Sequence, residues 1–238
     1  MYKPSNNSKK GDNGKLMIIG GSIEYHGAPM FSILSARRFV DLIYFYPGEK
    51  DSYLINSIKK IPEPIVVYSL DKVKEMDAVL FGIGIGNARL DVRYVLNNSK
   101  KLVIDGDGLK IIKNNIPKNC ILTPHEGEFK LLFGLKGTKE NVKKMASKWK
   151  CIILKKDPKG DIISDGKKIK VIDGGNSGLT KGGTGDILSG LVAAFFCKNN
   201  GFESCVEASK LIKKTADRLK KKFGTNYCSS DLISELAK

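Results

Sequence analysis

Short, almost purely apolar runs separated by Gly-, Asp- or Pro-containing breaks constrain this chain more than any other feature. Leu16–Ile19, Leu42–Tyr46, Ile65–Tyr68, Ala78–Gly82, Leu102–Asp105, Cys120–Thr123 and Cys151–Leu154 are rich in Ile, Val, Leu and Tyr. Such residues suit strands, and a strand that is apolar on both faces must be covered on both faces. Helical patterns lie between them, at Pro29–Phe39, Leu90–Asn97, Glu126–Phe133 and Lys139–Trp149. Strand and helix in alternation predict a mostly parallel central sheet with helices on both sides. Asp161–Ser164 and Lys168–Val171 flank Asp165-Gly166, a dipeptide that favours a two-residue hairpin turn, so a hairpin strand pair closes the sheet late in the chain. The remainder reads as helices over Ile187–Cys197, Cys205–Phe223 and Asp231–Leu236. We therefore expect one three-layer α/β domain over residues 15–238, preceded by a flexible polar lead-in over residues 1–14.

Charge and composition narrow the functional classes. The 238 residues carry 41 Lys and Arg against 25 Asp and Glu, a formal charge of +16. A basic protein attracts nucleic acid, anionic membranes or small anions. The lysines are scattered, however, and aromatic residues make up only 8% of the chain, so nucleic acid is not an expected partner. The densest group, Lys213, Lys214, Arg218, Lys220, Lys221 and Lys222, falls on one helical segment and reads as a solvated face. No apolar run is long enough to span a bilayer, and the start has no signal-peptide pattern. Five widely spaced cysteines without a Cys-x-x-Cys pair argue against a disulfide framework or a zinc site. A cytoplasmic protein is the expectation. Its oligomeric state is left open, a homo-oligomer included.

In a parallel α/β sheet, ligands gather beyond the C-terminal ends of the strands. Here those ends carry Gly20-Gly21-Ser22, Gly82–Gly86, Asp105-Gly106-Asp107-Gly108 and Thr123–Glu128. The strongest chemical signal comes later, in Lys181-Gly182-Gly183-Thr184-Gly185-Asp186. A Gly loop feeding a helix presents free N–H groups and the positive end of the helix dipole, which together hold an anion such as phosphate. Asp186 is then either a helix-capping carboxylate or a reactive one beside a phosphate cradle. The loop is not a Walker A motif, and Gly82–Gly86 lacks the third Gly of a dinucleotide fingerprint, since residue 87 is Asn. His125, Glu126 and Glu128 stand at a strand-to-helix junction. The two carboxylates suit a first helical turn. In the functional reading His125 hydrogen-bonds a substrate and Glu128 helps hold Mg²⁺, which prefers oxygen ligands.

Taken together, these stretches resemble a known family. Gly20-Gly21-Ser22 with Tyr25-His26-Gly27-Ala28-Pro29, then Gly82–Gly86, Asp105–Leu109, Thr123–Glu128, Leu154-Lys155, and Asn176–Thr180 before Lys181–Asp186 follow the order found in ADP/ATP-dependent NAD(P)H-hydrate dehydratases. The resemblance runs from about Lys15 to Ser230. It implies a ribokinase-like fold and a lyase of metabolite repair. A nucleotide, ATP or ADP with Mg²⁺, phosphorylates the ring hydroxyl of hydrated NADH or NADPH, and loss of phosphate restores the double bond. By resemblance, Ala28, Gly86, His125 and Asp186 face the hydrated dinucleotide, with Asp186 as the general base. Lys155, Lys156, Asp157, Pro158 and Lys159 face the nucleotide together with Gly185. Gly182, Gly183 and Thr184 complete the phosphate loop. Where the family has Asp-Ala-Asp-Gly this chain has Asp105-Gly106-Asp107-Gly108, and where the family has Lys-Gly it has Lys155-Lys156. Many members carry an N-terminal NAD(P)H-hydrate epimerase domain. Met1–Lys15 is too short for one, which leaves a stand-alone enzyme or an excised domain with a functional link to an epimerase.

Two other readings fit parts of the pattern. A ribokinase-like kinase of a small alcohol or vitamin precursor would use the same Asp186 and anion loop but release a stable ester. A non-catalytic basic nucleotide- or nucleic-acid-binding module would gain nothing from a carboxylate in that loop.

Overall fold

The computed structural model describes residues 2–113 and 115–236. Among the described residues, nine strands form one sheet in the order β3-β2-β1-β4-β5-β6-β7-β8-β9. Their bounds are β1 Lys15–Gly20, β2 Leu42–Pro47, β3 Pro64–Val66, β4 Ala78–Ile83, β5 Leu102–Ile104, β6 Ile121–Leu122, β7 Ile152–Lys155, β8 Asp161–Ser164 and β9 Ile169–Ile172. The first seven run parallel. The last two continue antiparallel from β7, as the Asp165-Gly166 turn predicts. The helices are α1 Gly27–Ala36, α2 Ser52–Lys59, α3 Val92–Asn98, α4 Asp107–Ile111, α5 Glu126–Phe133, α6 Lys139–Trp149, α7 Thr184–Lys198, α8 Gly201–Phe223 and α9 Ser229–Glu235.

Alternation along the strands splits the core in two. Leu16 and Ile18 of β1 join one apolar cluster with residues of α1, α2, α7, α8 and α9. Met17 and Ile19 join the other, with residues of α3, α4, α5 and α6. This is the period-2 geometry of a strand buried on both faces. Strand β1 has β2 on one side and β4 on the other, so the winding direction of the chain reverses there. The reversal opens a crevice at the C-terminal edge, between the loops that follow β1 and β4.

Three elements depart from the sequence reading. Helix α2 was not expected; its first turn is capped by Asp51, whose carboxylate accepts from Leu54 N–H at 2.9 Å. Helix α4 begins inside Asp105–Gly108, where the sequence suggested only a loop. Lys213 does not lie on a solvated face: it is 5% exposed and donates to the Gly174 carbonyl. The helical period puts it on the inner side of α8 with Ser209, Ile212 and Ala216, all of them buried. No helix among the described residues is long and apolar enough to cross a membrane.

The contact between α1 and α7 fixes where the Gly loop ends up. Gly190 of α7 lies against α1 so closely that an added Cβ would sit 2.4 Å from Ser35 Oγ and 2.6 Å from the Ser32 carbonyl oxygen. The Ser32 hydroxyl in turn donates to the Asp186 carbonyl at 2.8 Å. Gly190→Val should therefore force the helices apart and cost about 1–3 kcal/mol. Thermal unfolding measures this, and an unchanged melting temperature would show that the contact is looser than described.

Candidate functional site

Helix α7 opens on Gly183, whose φ of +92° only glycine adopts without strain. There is no room for a side chain either, since a Cβ there would meet the Phe31 ring at 2.5 Å. The loop before it is anchored from several sides. The Thr184 hydroxyl donates to the Leu179 carbonyl at 2.6 Å and Ser229 Oγ to the Gly182 carbonyl at 2.6 Å. Lys181 Nζ donates to the Thr225 and Tyr227 carbonyls. The first-turn N–H groups of α7 are thereby held in one direction without intrahelical acceptors.

Asp186 stands in that first turn, partly buried. Desolvation, reinforced by the nearby Asp105 carboxylate, pushes its pKa up to about 7, although the Lys156 ammonium pulls the other way. Asp105, the residue after β5, is buried and accepts from Lys156 Nζ at 2.8 Å. Glu128 Oε2 lies 4.0 Å from the same ammonium. Burial, which favours the neutral acid, holds the Glu128 pKa above its ordinary value. Burial also works against the Lys156 charge, but Asp105, Glu128 and Asp186 outweigh it and keep that ammonium protonated.

His125 and Glu128 form a capping box at the start of α5. His125 Nδ1 accepts from Gly127 N–H at 3.0 Å, and Glu128 Oε2 accepts from His125 N–H at 2.8 Å. The His125 side chain is exposed, and its Nε2 lies 3.5 Å from Glu128 Oε1. Among the described residues, no group of three His, Cys, Asp or Glu side chains is arranged to cage a metal ion.

Beside this cluster opens a cleft of about 540 Å³. Of the residues expected at a site, His125, Lys156, Asp157, Pro158, Thr184 and Gly185 line it. Asp186, Glu128, Lys155, Lys159, Gly182 and Gly183 are not among its lining residues, and neither are Ala28 and Gly86. Lys155 points into the protein, where its ammonium is paired with Glu126 at 2.7 Å and with Asp157. The cleft also takes in Asp161, Leu179, Ile212 and Lys213, which sequence reasoning left out of the site. Lys213 was missed because basic residues surround it in sequence. Asp161 was missed because it sits inside a strand; it accepts from Asp157 N–H at 3.1 Å and from Ser209 Oγ at 2.6 Å, tying the Lys156–Lys159 loop to α8.

Ala28 and Gly86 belong to the crevice between the β1 and β4 loops. Ala28 lies one helical turn before Ser32 on α1, hence on the face that touches Asp186. Gly84 approaches it so closely that an added Cβ would be 2.9 Å from Ala28 Cβ. Gly86 N–H donates to Asp107 Oδ2 at 3.0 Å. A carboxylate cluster and a helix N-terminus beside a cleft together suit transfer of a phosphoryl group from a bound nucleotide.

The sequence profile of the family described as NAD(P)H-hydrate dehydratase matches residues 16–238. Bifunctional NAD(P)H-hydrate repair enzymes of Archaeoglobus fulgidus and Methanocaldococcus jannaschii are 34% and 35% identical, each over 99% of this chain. The chain spans about half the length of those relatives, 52% and 50%. An ADP-dependent (S)-NAD(P)H-hydrate dehydratase of Cenarchaeum symbiosum is 31% identical, with 96% of this chain and 89% of that protein covered. In fold, the chain is similar to the Bacillus subtilis ADP/ATP-dependent NAD(P)H-hydrate dehydratase co-crystallised with ATP and Mg²⁺. The TM-score is 0.87 at 21% identity, over all of this chain and 92% of that one. It is also similar to a ribokinase-like superfamily protein of Enterococcus faecalis, with TM-score 0.86 and 24% identity over 98% and 89% of the two chains. On the profile match and the relatives above 30% identity, the chain belongs to the NAD(P)H-hydrate dehydratase family and has its ribokinase-like fold.

Proposed function

We propose that this chain removes water from hydrated NADH or NADPH at the expense of ATP or ADP. The observation that carries the chemistry is Asp186, a carboxylate with pKa about 7 in the first turn of a helix that faces a nucleotide-sized cleft. A base whose pKa lies near the working pH transfers protons efficiently. Asp186 takes the proton of the ring hydroxyl as that oxygen attacks the terminal phosphorus. The new O–P bond forms while the bond to the bridging oxygen breaks, and the shortened nucleotide leaves with that electron pair. The N–H groups of Gly185 and Asp186 stabilise the charge on the phosphoryl oxygens. Phosphate then departs with the C–O electron pair, a proton leaves the adjacent ring carbon, and the double bond returns.

Ala28 and Gly86 hold the hydrated ring side, with His125, which also lines the cleft, at the border between the two ligands. Lys156, Asp157, Pro158, Thr184 and Gly185 line the nucleotide side, and Gly182, Gly183, Lys155 and Lys159 support that wall. A Mg²⁺ ion that travels with nucleotide phosphates needs only one or two protein carboxylates. Glu128, with its oxygens at the edge of the cluster rather than in a three-ligand cage, suits that partial ligation. When bound, the ion neutralises phosphate charge. The naming of the half-matched relatives as bifunctional repair enzymes supports a functional link with an NAD(P)H-hydrate epimerase. A single domain over residues 15–238, acting in the cytoplasm, is part of the same reading.

Given hydrated NADH with ATP or ADP, the protein should yield NADH and inorganic phosphate in equal amounts, followed by the recovery of reduced-nicotinamide absorbance. A stable phosphate ester without NADH recovery would overturn the reading. Asp186→Asn keeps size and hydrogen bonding and should lower turnover about 10²–10⁴-fold. The same variant separates function from folding. Because the folded-state pKa of Asp186 is raised from 3.8 to about 7, its contribution to stability is greatest in acid and declines as pH rises from about 4 to 7. Asp186→Asn should therefore melt at or above the parent temperature at pH 8. A clear drop in melting temperature there would mark Asp186 as structural.

A further inference from the structure

Adjacent lysines at the end of β7 have opposite fates. Lys155 is buried and doubly paired with Glu126 and Asp157, so its charge is spent on holding the loop. Lys156 turns to the cleft wall, where Nζ lies 2.8 Å from Asp105 and 4.0 Å from Glu128. It also adjoins the anion-binding helix end, since a Cβ added to Gly185 would stand 3.5 Å from Nζ. The other lysine lining the cleft, Lys213, donates to the Gly174 carbonyl and lies 3.6 Å from Asp161. Among the described residues, Lys156 is thus the lysine lining the cleft that meets both the carboxylate cluster and the start of α7.

We propose that Lys156 is a further catalytic residue, whose ammonium contacts the transferring phosphoryl group between the nucleotide and the acceptor hydroxyl. The inference rests on the phosphoryl-transfer reading above. At rest Asp105 holds the ammonium, which fixes it beside Asp186 and the α7 N–H groups before any ligand arrives. When the O–P bond forms and the bridging bond breaks, negative charge accumulates on the non-bridging oxygens. Lys156 donates a hydrogen bond to one of them and keeps all its protons, while the hydroxyl proton goes to Asp186. A fixed donor aimed at charge that develops in the transition state is what such a step exploits. Gly185 has no side chain to come between the ammonium and the helix end.

The test uses the full chain with Lys156→Met, Lys156→Arg and the double variant Asp105→Asn/Lys156→Met. Turnover is measured with hydrated NADH and ATP or ADP, and ATP and AMP binding by calorimetry in Mg²⁺. We expect kcat of Lys156→Met to fall about 10²–10³-fold, the loss seen when one transition-state donor is removed. The KM for hydrated NADH should change less than threefold, and Lys156→Arg should recover at least tenfold in kcat. The double variant matters because Lys156→Met leaves Asp105 buried without its partner and can unfold for that reason alone. With that charge removed it should fold and still lack turnover. If the double variant returns to within threefold of the parent, Lys156 only neutralises Asp105 and the proposal falls. A parent protein that recovers no NADH would refute the functional reading itself, and the binding arm would then decide Lys156. The parent should bind ATP more tightly than AMP, and both methionine variants should erase at least tenfold of that difference. An undiminished difference, or none in the parent, would overturn the proposal.

Discussion

Three carboxylates, Asp105, Glu128 and Asp186, share the ammonium of Lys156, and the chemistry of the site follows from that imbalance. The ammonium is spent first on Asp105, the nearest of the three at 2.8 Å. Asp186 is left partly desolvated next to a like charge, and its pKa moves up to about 7. Had the same Asp stood alone at an exposed helix start, the dipole and water would have kept it a strong acid and a poor base. The arrangement stores unfavourable electrostatics at the site, which the two apolar clusters on either side of the sheet must offset.

The sheet supplies the convergence. Asp105 follows β5, His125 and Glu128 follow β6, Lys156 follows β7, and Asp186 arrives on α7. Parallel strands bring the first four to one edge without any special contact. Asp186 needs more, because its helix is separated from the sheet edge by the hairpin of β8 and β9 and the Asn176–Thr180 turn. The close packing of Gly190 against α1 and the Ser32 hydroxyl on the Asp186 carbonyl set its position.

Much of this was legible in the sequence. Apolar runs at Leu16–Ile19 and Ala78–Gly82 could only be strands covered on both faces, and Asp165-Gly166 marked the antiparallel turn. The Gly loop before Asp186 marked a helix start, and α7 begins there at Thr184. What escaped was decided by tertiary packing. Lys155 and Lys156 are alike in sequence, yet one became an internal latch and the other a wall of the cleft, because successive residues at a strand end face opposite sides. Lys213 was hidden within a basic stretch whose helical period buries one member. Helix α4 was masked by Gly106 and Gly108, residues that favour loops by propensity.

The account stands on the proton affinity of Asp186 in the resting protein. Carboxyl ¹³C NMR of the labelled chain, with the Asp186 signal assigned by its loss in Asp186→Asn, measures that quantity without substrate or nucleotide. A titration midpoint near 7 is the predicted result. A midpoint close to the ordinary aspartate value of 3.8 would contradict it, since the carboxylate would then be too weak a base for the role assigned.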